Sequence, residues 1–139
     1  MKLLVSAVCD EAREEADGKV TLQGVFHDLY APGFPAKQDS MVLVLVLEWG
    51  REDHGRYDFK ADLMDPNGKP TLSVQGQSEV EARPAERPPA RTQIVMPMEG
   101  VIFPVPGEYV VQVSAKGRKF RGPTLYLVET DEAESTPVE

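Results

Sequence analysis

Apolar and polar residues alternate with a period of two in segment after segment of this chain, the repeat of half-buried strands rather than helices. Over 56–64, Tyr57, Phe59, Ala61 and Leu63 share one face and Asp58, Lys60 and Asp62 the other. Over 71–82, Leu72, Val74 and Val80 oppose Ser73, Gln75, Gln77, Glu79 and Glu81. Segment 19–30 sets Val20, Leu22 and Phe26 against Thr21, Gln23 and His27. Further strands are predicted over 2–9, 41–49, 92–98, 108–115 and 123–128, with Pro97 placing its strand at an edge or its end. Asp65-Pro66-Asn67-Gly68 is a strong hairpin signal, and Lys116-Gly117 is a second turn. The charged stretch 10–18 reads as a link with room for about one or two helical turns, and the proline-bearing 31–40 and 83–91 read as loops.

About eight strands joined by turn-rich links predict an all-β fold, an antiparallel β-sandwich of immunoglobulin-like or related Greek-key topology. A closed barrel is the alternative. Residues 1–129 form a single domain, and 130–139 form an acidic tail without aromatics that is expected to be disordered.

Two segments depart from the alternation. Residues 41–47 are apolar on both faces, Val42, Val44 and Val46 against Leu43, Leu45 and Leu47, and residues 3–8 behave similarly. An antiparallel strand ordinarily keeps one wet face, so Val42 to Leu47 form a candidate self-association or partner face. Either a second copy covers it, as a homodimer, or the proline-rich loops do.

Composition narrows the function classes. The 139 residues carry 23 acidic and 15 basic side chains, a net charge of −8. That charge repels phosphate backbones and anionic lipid surfaces, so neither nucleic acid nor membrane is expected as a partner. A single cysteine makes no internal disulfide and asks for no oxidising compartment. The opening Met1–Cys9 resembles a lipoprotein signal, but Leu3–Val8 is interrupted by Ser6 and falls short of the ~7–15 apolar residues of such a signal. Val8 also stands before the cysteine where a small residue is needed. The segment reads instead as a first strand of a cytoplasmic protein.

Catalytic and metal templates fail in turn. With Gly68 at the sixth position of a calcium loop, Leu63 and Val74 fall where ligands are required. Asp58, Asp62 and Asp65 then read as a solvated face and a turn, and no cofactor is expected. Cys9, His27 and His54 lack the paired spacing of a zinc site. Ser78 lies within a strand and lacks the second glycine of a nucleophile elbow. Cys9 with a histidine base would be a thiol nucleophile, but a cysteine in an apolar strand reads first as packing. Glycines form no phosphate cradle. Lys116, Arg118, Lys119 and Arg121 around Phe120 are weak anion-patch candidates, and more simply charges guarding an edge strand.

Three stretches, 9–36, 63–70 and 103–118, resemble a family of small bacterial proteins classed only as a domain of unknown function. The resemblance rests on the opening strand ending Cys9-Asp10-Glu11-Ala12-Arg13 and on Phe103-Pro104-Val105-Pro106-Gly107-Glu108-Tyr109. It carries no activity or site residue. It implies a structural role for Tyr109, whose hydroxyl is expected to tie to nearby backbone as in a tyrosine corner. The reading that results is a non-enzymatic binding or assembly module acting through an apolar sheet face. The alternative is a ligand carrier or small enzyme with a pocket near Cys9, His27 or His54.

Overall fold

The computed structural model describes residues 1–130, and the part of the expected disordered tail from 131 onward lies outside the described residues. Nine strands follow one another: β1 (Lys2–Glu14), β2 (Val20–Val25), β3 (Asp28–Ala31), β4 (Ala36–Glu48), β5 (Gly55–Met64), β6 (Pro70–Val80), β7 (Arg91–Phe103), β8 (Gly107–Ala115) and β9 (Arg118–Glu129). They form two packed sheets, one ordered β2-β1-β4-β7 and the other β3-β9-β8-β5-β6. This is an all-β sandwich with the immunoglobulin Greek key: β1, β4 and β7 take places A, B and E, and β5, β6, β8 and β9 take C, C′, F and G. Among the described residues no strand takes the place of D, so β7 is an edge strand, as Pro97 requires.

Several boundaries differ from the local pattern because pairing is decided by distant partners. The charged 10–18 does not turn helically. β1 continues through it to Glu14, held by β2 from Cys9 opposite Val25 to Glu14 opposite Val20. Ala12 and Leu22 make the half-buried row of this hairpin, and Gly18 closes it with φ 87°. The single strand expected over 19–30 is two. The chain crosses after Phe26, and β3 joins the second sheet parallel to β9, so the sandwich is not wholly antiparallel. β4 begins at Ala36, inside the stretch read as a loop, and β7 runs to Phe103 rather than ending near Met98.

The two faces of β4 have different fates. Leu43, Leu45 and Leu47 point between the sheets, where they join Val8, Ile94, Leu63, Val111, Val113, Leu125 and Leu127 in one core. They are therefore core residues and not part of an outer partner face. Trp49, at the end of β4, is buried beneath Tyr57 with ring centroids 4.9 Å apart. Its indole N–H donates to Thr92 Oγ1 at 2.8 Å, which satisfies the polar edge of a buried ring.

The loops of one end of the sandwich are tied by side chains. Arg51 donates to the carbonyls of Pro84 and Arg87, fastening the proline-rich crossing from β6 to β7. Asp53 accepts from the Gly50 amide at 2.7 Å and from Lys116. At the other end, Asp65 accepts from the amides of Asn67 and Lys69 at 2.9 and 2.8 Å, the turn chemistry expected of that sequence.

Candidate functional site

Paired residues in adjacent strands share a face, so register identifies the outer side of the first sheet. Val42 lies beside Cys9 and Pro97, Val44 beside Ala7 and Val95, and Val46 beside Val5 and Gln93. Val25 extends the row next to Cys9. This half ends at a charged row, Lys2, Glu48 and Arg91, in which Arg91 pairs with Glu48 at 3.1 Å. The other half is polar, with Asp10, Glu11, Gln23, Lys37, Gln38, Asp39 and Ser40 lining an open groove of about 540 Å³.

Burial across the apolar half is uneven. Its floor, Ala7, Cys9, Val44 and Val46, is already buried within the single chain. Its margin is not: Leu4 is 45% exposed, Val5 37% and Val25 48%. Leu4 is the extra residue where the β1–β4 register shifts between Leu3 and Val5, and a bulge of this kind re-aims a side chain. The exposed apolar surface thus lies along β1 and β2, not on β4, where the sequence pattern pointed.

The candidates for chemistry make no hydrogen bond to one another among the described residues. Cys9 is fully buried in this face, with its thiol toward the Glu11 and Val42 carbonyls at 3.2 and 3.7 Å. Burial raises its pKa, so the nucleophilic thiolate is disfavoured. His27 is an exposed residue at the crossing between sheets, its carbonyl accepting from the Tyr126 amide at 2.8 Å. His54 lies in the turn before β5, with Nδ1 3.2 Å from the Glu52 carbonyl. Ser78 shares a hydrogen bond with Thr92, part of the polar support beneath Trp49.

The basic cluster is dispersed as well. Lys116, with φ 52°, turns to Asp53 and lies over the Tyr57 ring at 5.7 Å. Arg118 lies over Phe120 at 5.3 Å. Lys119 and Arg121 line an open groove of about 490 Å³ whose wall also holds Asp65 and Glu108, and Arg121 pairs with Glu108 at 3.5 Å. Acidic and basic groups alternate there. Asp58 accepts from Gln77 and Asp62 from Ser73, so these carboxylates are engaged on the strand face.

Two surface features had no sequence signal. Tyr30, Tyr126 and Val128 are exposed together where β3 meets β9, because the parallel pairing was not legible locally. Tyr126 donates to Glu108 at 2.9 Å, and that carboxylate raises its pKa. The second is the free edge of β6, which the strand pattern alone cannot mark as an edge.

The family model described as "Family of unknown function (DUF6941)" matches residues 4–128. No curated protein matches the chain.

Proposed function

We propose, for a chain that belongs to this family of unknown function (DUF6941), that it is a non-enzymatic binding or assembly module whose contact surface is the apolar outer face of the first sheet. The observation that carries this reading is the exposed margin of Leu4, Val5 and Val25 around the floor formed by Ala7, Cys9, Val44 and Val46. Covering such a margin gains roughly 25 cal/mol for each Å² of apolar surface removed from water. An apolar margin of Leu4, Val5 and Val25 on a chain of net charge −8 suits a protein partner, because these three residues bring no like charges together. The buried thiol of Cys9, turned to the Glu11 and Val42 carbonyls, supports a binding role over a catalytic one.

The compartment we infer is the cytoplasm. Residues 2–9 are spent as a strand paired with β4, and Val8 and Cys9 are fully buried there. Among the described residues no helix is long and apolar enough to cross a membrane.

A photo-crosslinking amino acid at Val5 or at Val25, incorporated in the native cell, tests the contact surface. The expected result is adducts to one protein species that disappear when Leu4→Asp is added. Absence of adducts at both positions, with the protein folded and abundant, rejects the reading.

A further inference from the structure

We propose that β6 pairs antiparallel with β6 of a second copy of this chain, joining the two five-stranded sheets into one continuous sheet. β6 is the last strand of its sheet, and among the described residues nothing pairs with its outer side. An unpaired edge is a template for another strand unless the sequence blunts it. The other edges are blunted. β7 carries Pro97 and a left-handed Gly100 with φ 61°. The open half of β9 holds Pro123 and the register shift between Val110 and Gln112. The open half of β1 holds the Leu3/Val5 bulge. β2 has Gly24 at φ 72°, and β3 is only 4 residues long.

β6 carries such devices only at its first residue, where Pro70 and a register shift lie. From Thr71 to Ser78 it contains no proline, no charge and no positive-φ glycine. Its pairing with β5 runs without a shift from Gly55–Val80 to Leu63–Leu72. Its inward side chains Leu72 and Val74 are only half-buried and line a small void of about 10 Å³ with Met98 and Val111. They are incompletely packed in the single chain.

Charge specifies a second copy as the occupant. Lys69 precedes the uncharged run, and Glu79 and Glu81 follow it. A two-fold antiparallel pairing keeps inward residues opposite inward residues whichever residue it centres on, and laying the uncharged run 71–78 against its own copy centres it on Val74 or on Gln75. The first register sets Lys69 opposite Glu79 of the second copy, the second sets it opposite Glu81. Either way both ends of the junction carry an opposite-charge pair. Glu79 already meets Arg56 at 2.8 Å, yet its side chain is 69% exposed and open to a further cation. Elsewhere two chains of net charge −8 repel, and here their charges alternate.

Sedimentation equilibrium of the full chain, over a range of protein and salt concentrations, tests this junction separately from the outer face of the first sheet. A wild-type dimer is expected, with Lys69→Glu weakening it at least tenfold while the circular dichroism spectrum and melting temperature stay unchanged. The triple variant Lys69→Glu/Glu79→Lys/Glu81→Lys, which swaps the charges, is expected to restore the dimer. A wild-type monomer at every concentration overturns the proposal. So does a dimer that Lys69→Glu leaves intact, or one that Val25→Asp breaks instead.

Discussion

Tyr109 and Val105 are bonded to each other twice. The phenol donates to the Val105 carbonyl at 2.7 Å and accepts from the Val105 amide at 3.1 Å. Tyr109 is fully buried, and its ring meets Phe103 edge to face, with centroids 5.0 Å apart. The pair closes the link from β7 to β8, where the chain passes from one sheet to the other, and is the tyrosine corner of sandwich folds. Burial raises the phenol pKa, so the hydroxyl remains a donor. Tyr109→Phe keeps the ring but leaves both Val105 groups unpaired. It is expected to lower unfolding stability by about 1–3 kcal/mol in urea titrations. An unchanged midpoint would show that the corner contributes nothing.

The Asp53–Lys116 pair predicts an acid limb in stability. The hydrogen bond from Lys116 holds the Asp53 carboxyl below its ordinary value of 3.8, against the opposing effect of desolvation. A depressed folded-state pKa stabilises the fold above the unfolded value and loses that contribution as pH falls through the folded one. Wild type is therefore expected to exceed Asp53→Asn by up to about 1 kcal/mol near neutral pH, since the pair is partly screened by solvent. The gap should shrink below pH ~4 as the carboxyl protonates. Urea midpoints measured across that range give the answer, and a gap independent of pH excludes the pairing.

Gly76 and Phe59 face each other across β5 and β6. A Cβ at Gly76 would run into the Phe59 ring, so the ring occupies the space that the glycine leaves. Gly76→Ala is expected to destabilise by about 1–3 kcal/mol through overpacking. With Phe59→Ala already present, the same change should cost markedly less, because the obstacle is gone. Strict additivity of the two changes in calorimetry would rule this contact out.

Cys9 is expected to resist thiol reagents in the native state and to react fully once unfolded. Its thiol is buried and its pKa raised, and both slow attack. Ellman titration with and without urea distinguishes the cases. Rapid stoichiometric labelling of the folded protein would mean that the outer face opens around β1.

Where local pattern and tertiary pairing agreed, the strands could be read directly. Tyr57, Phe59, Ala61 and Leu63 alternate with three charged residues, and Asp65 to Lys69 supplies turn chemistry, so β5 and its hairpin to β6 needed no distant information. The role of Tyr109 was readable only through the family resemblance carried by Phe103 to Tyr109, which implied a tie from its hydroxyl to nearby backbone. The link over 10–18 misled because Asp10, Glu11, Glu14 and Glu15 are poor strand formers. β2 overrides that preference by pairing with β1 as far as Glu14.

The candidate face was half legible. The run 42–47 announced a strand covered on both sides, but the side facing the core could not be told from the side facing out, since Val and Leu serve either. Leu4 lay in 3–8, a run also apolar on both faces, but its exposure comes from a bulge; Val25 gave no signal and is exposed by the place of its hairpin at the sheet edge.

By itself the sequence determined the class of structure, because a period of two with Pro, Gly and Asn-Gly punctuation excludes helices and sets strand and turn positions locally. It also set the net charge of −8. Only the tertiary structure decided which strands became edges, that β3 pairs parallel with β9, and that Cys9 is sealed beneath the outer face of the first sheet. Each of these depends on contacts between residues far apart in the chain, and a local alternation of side chains carries no record of which strand will lie alongside.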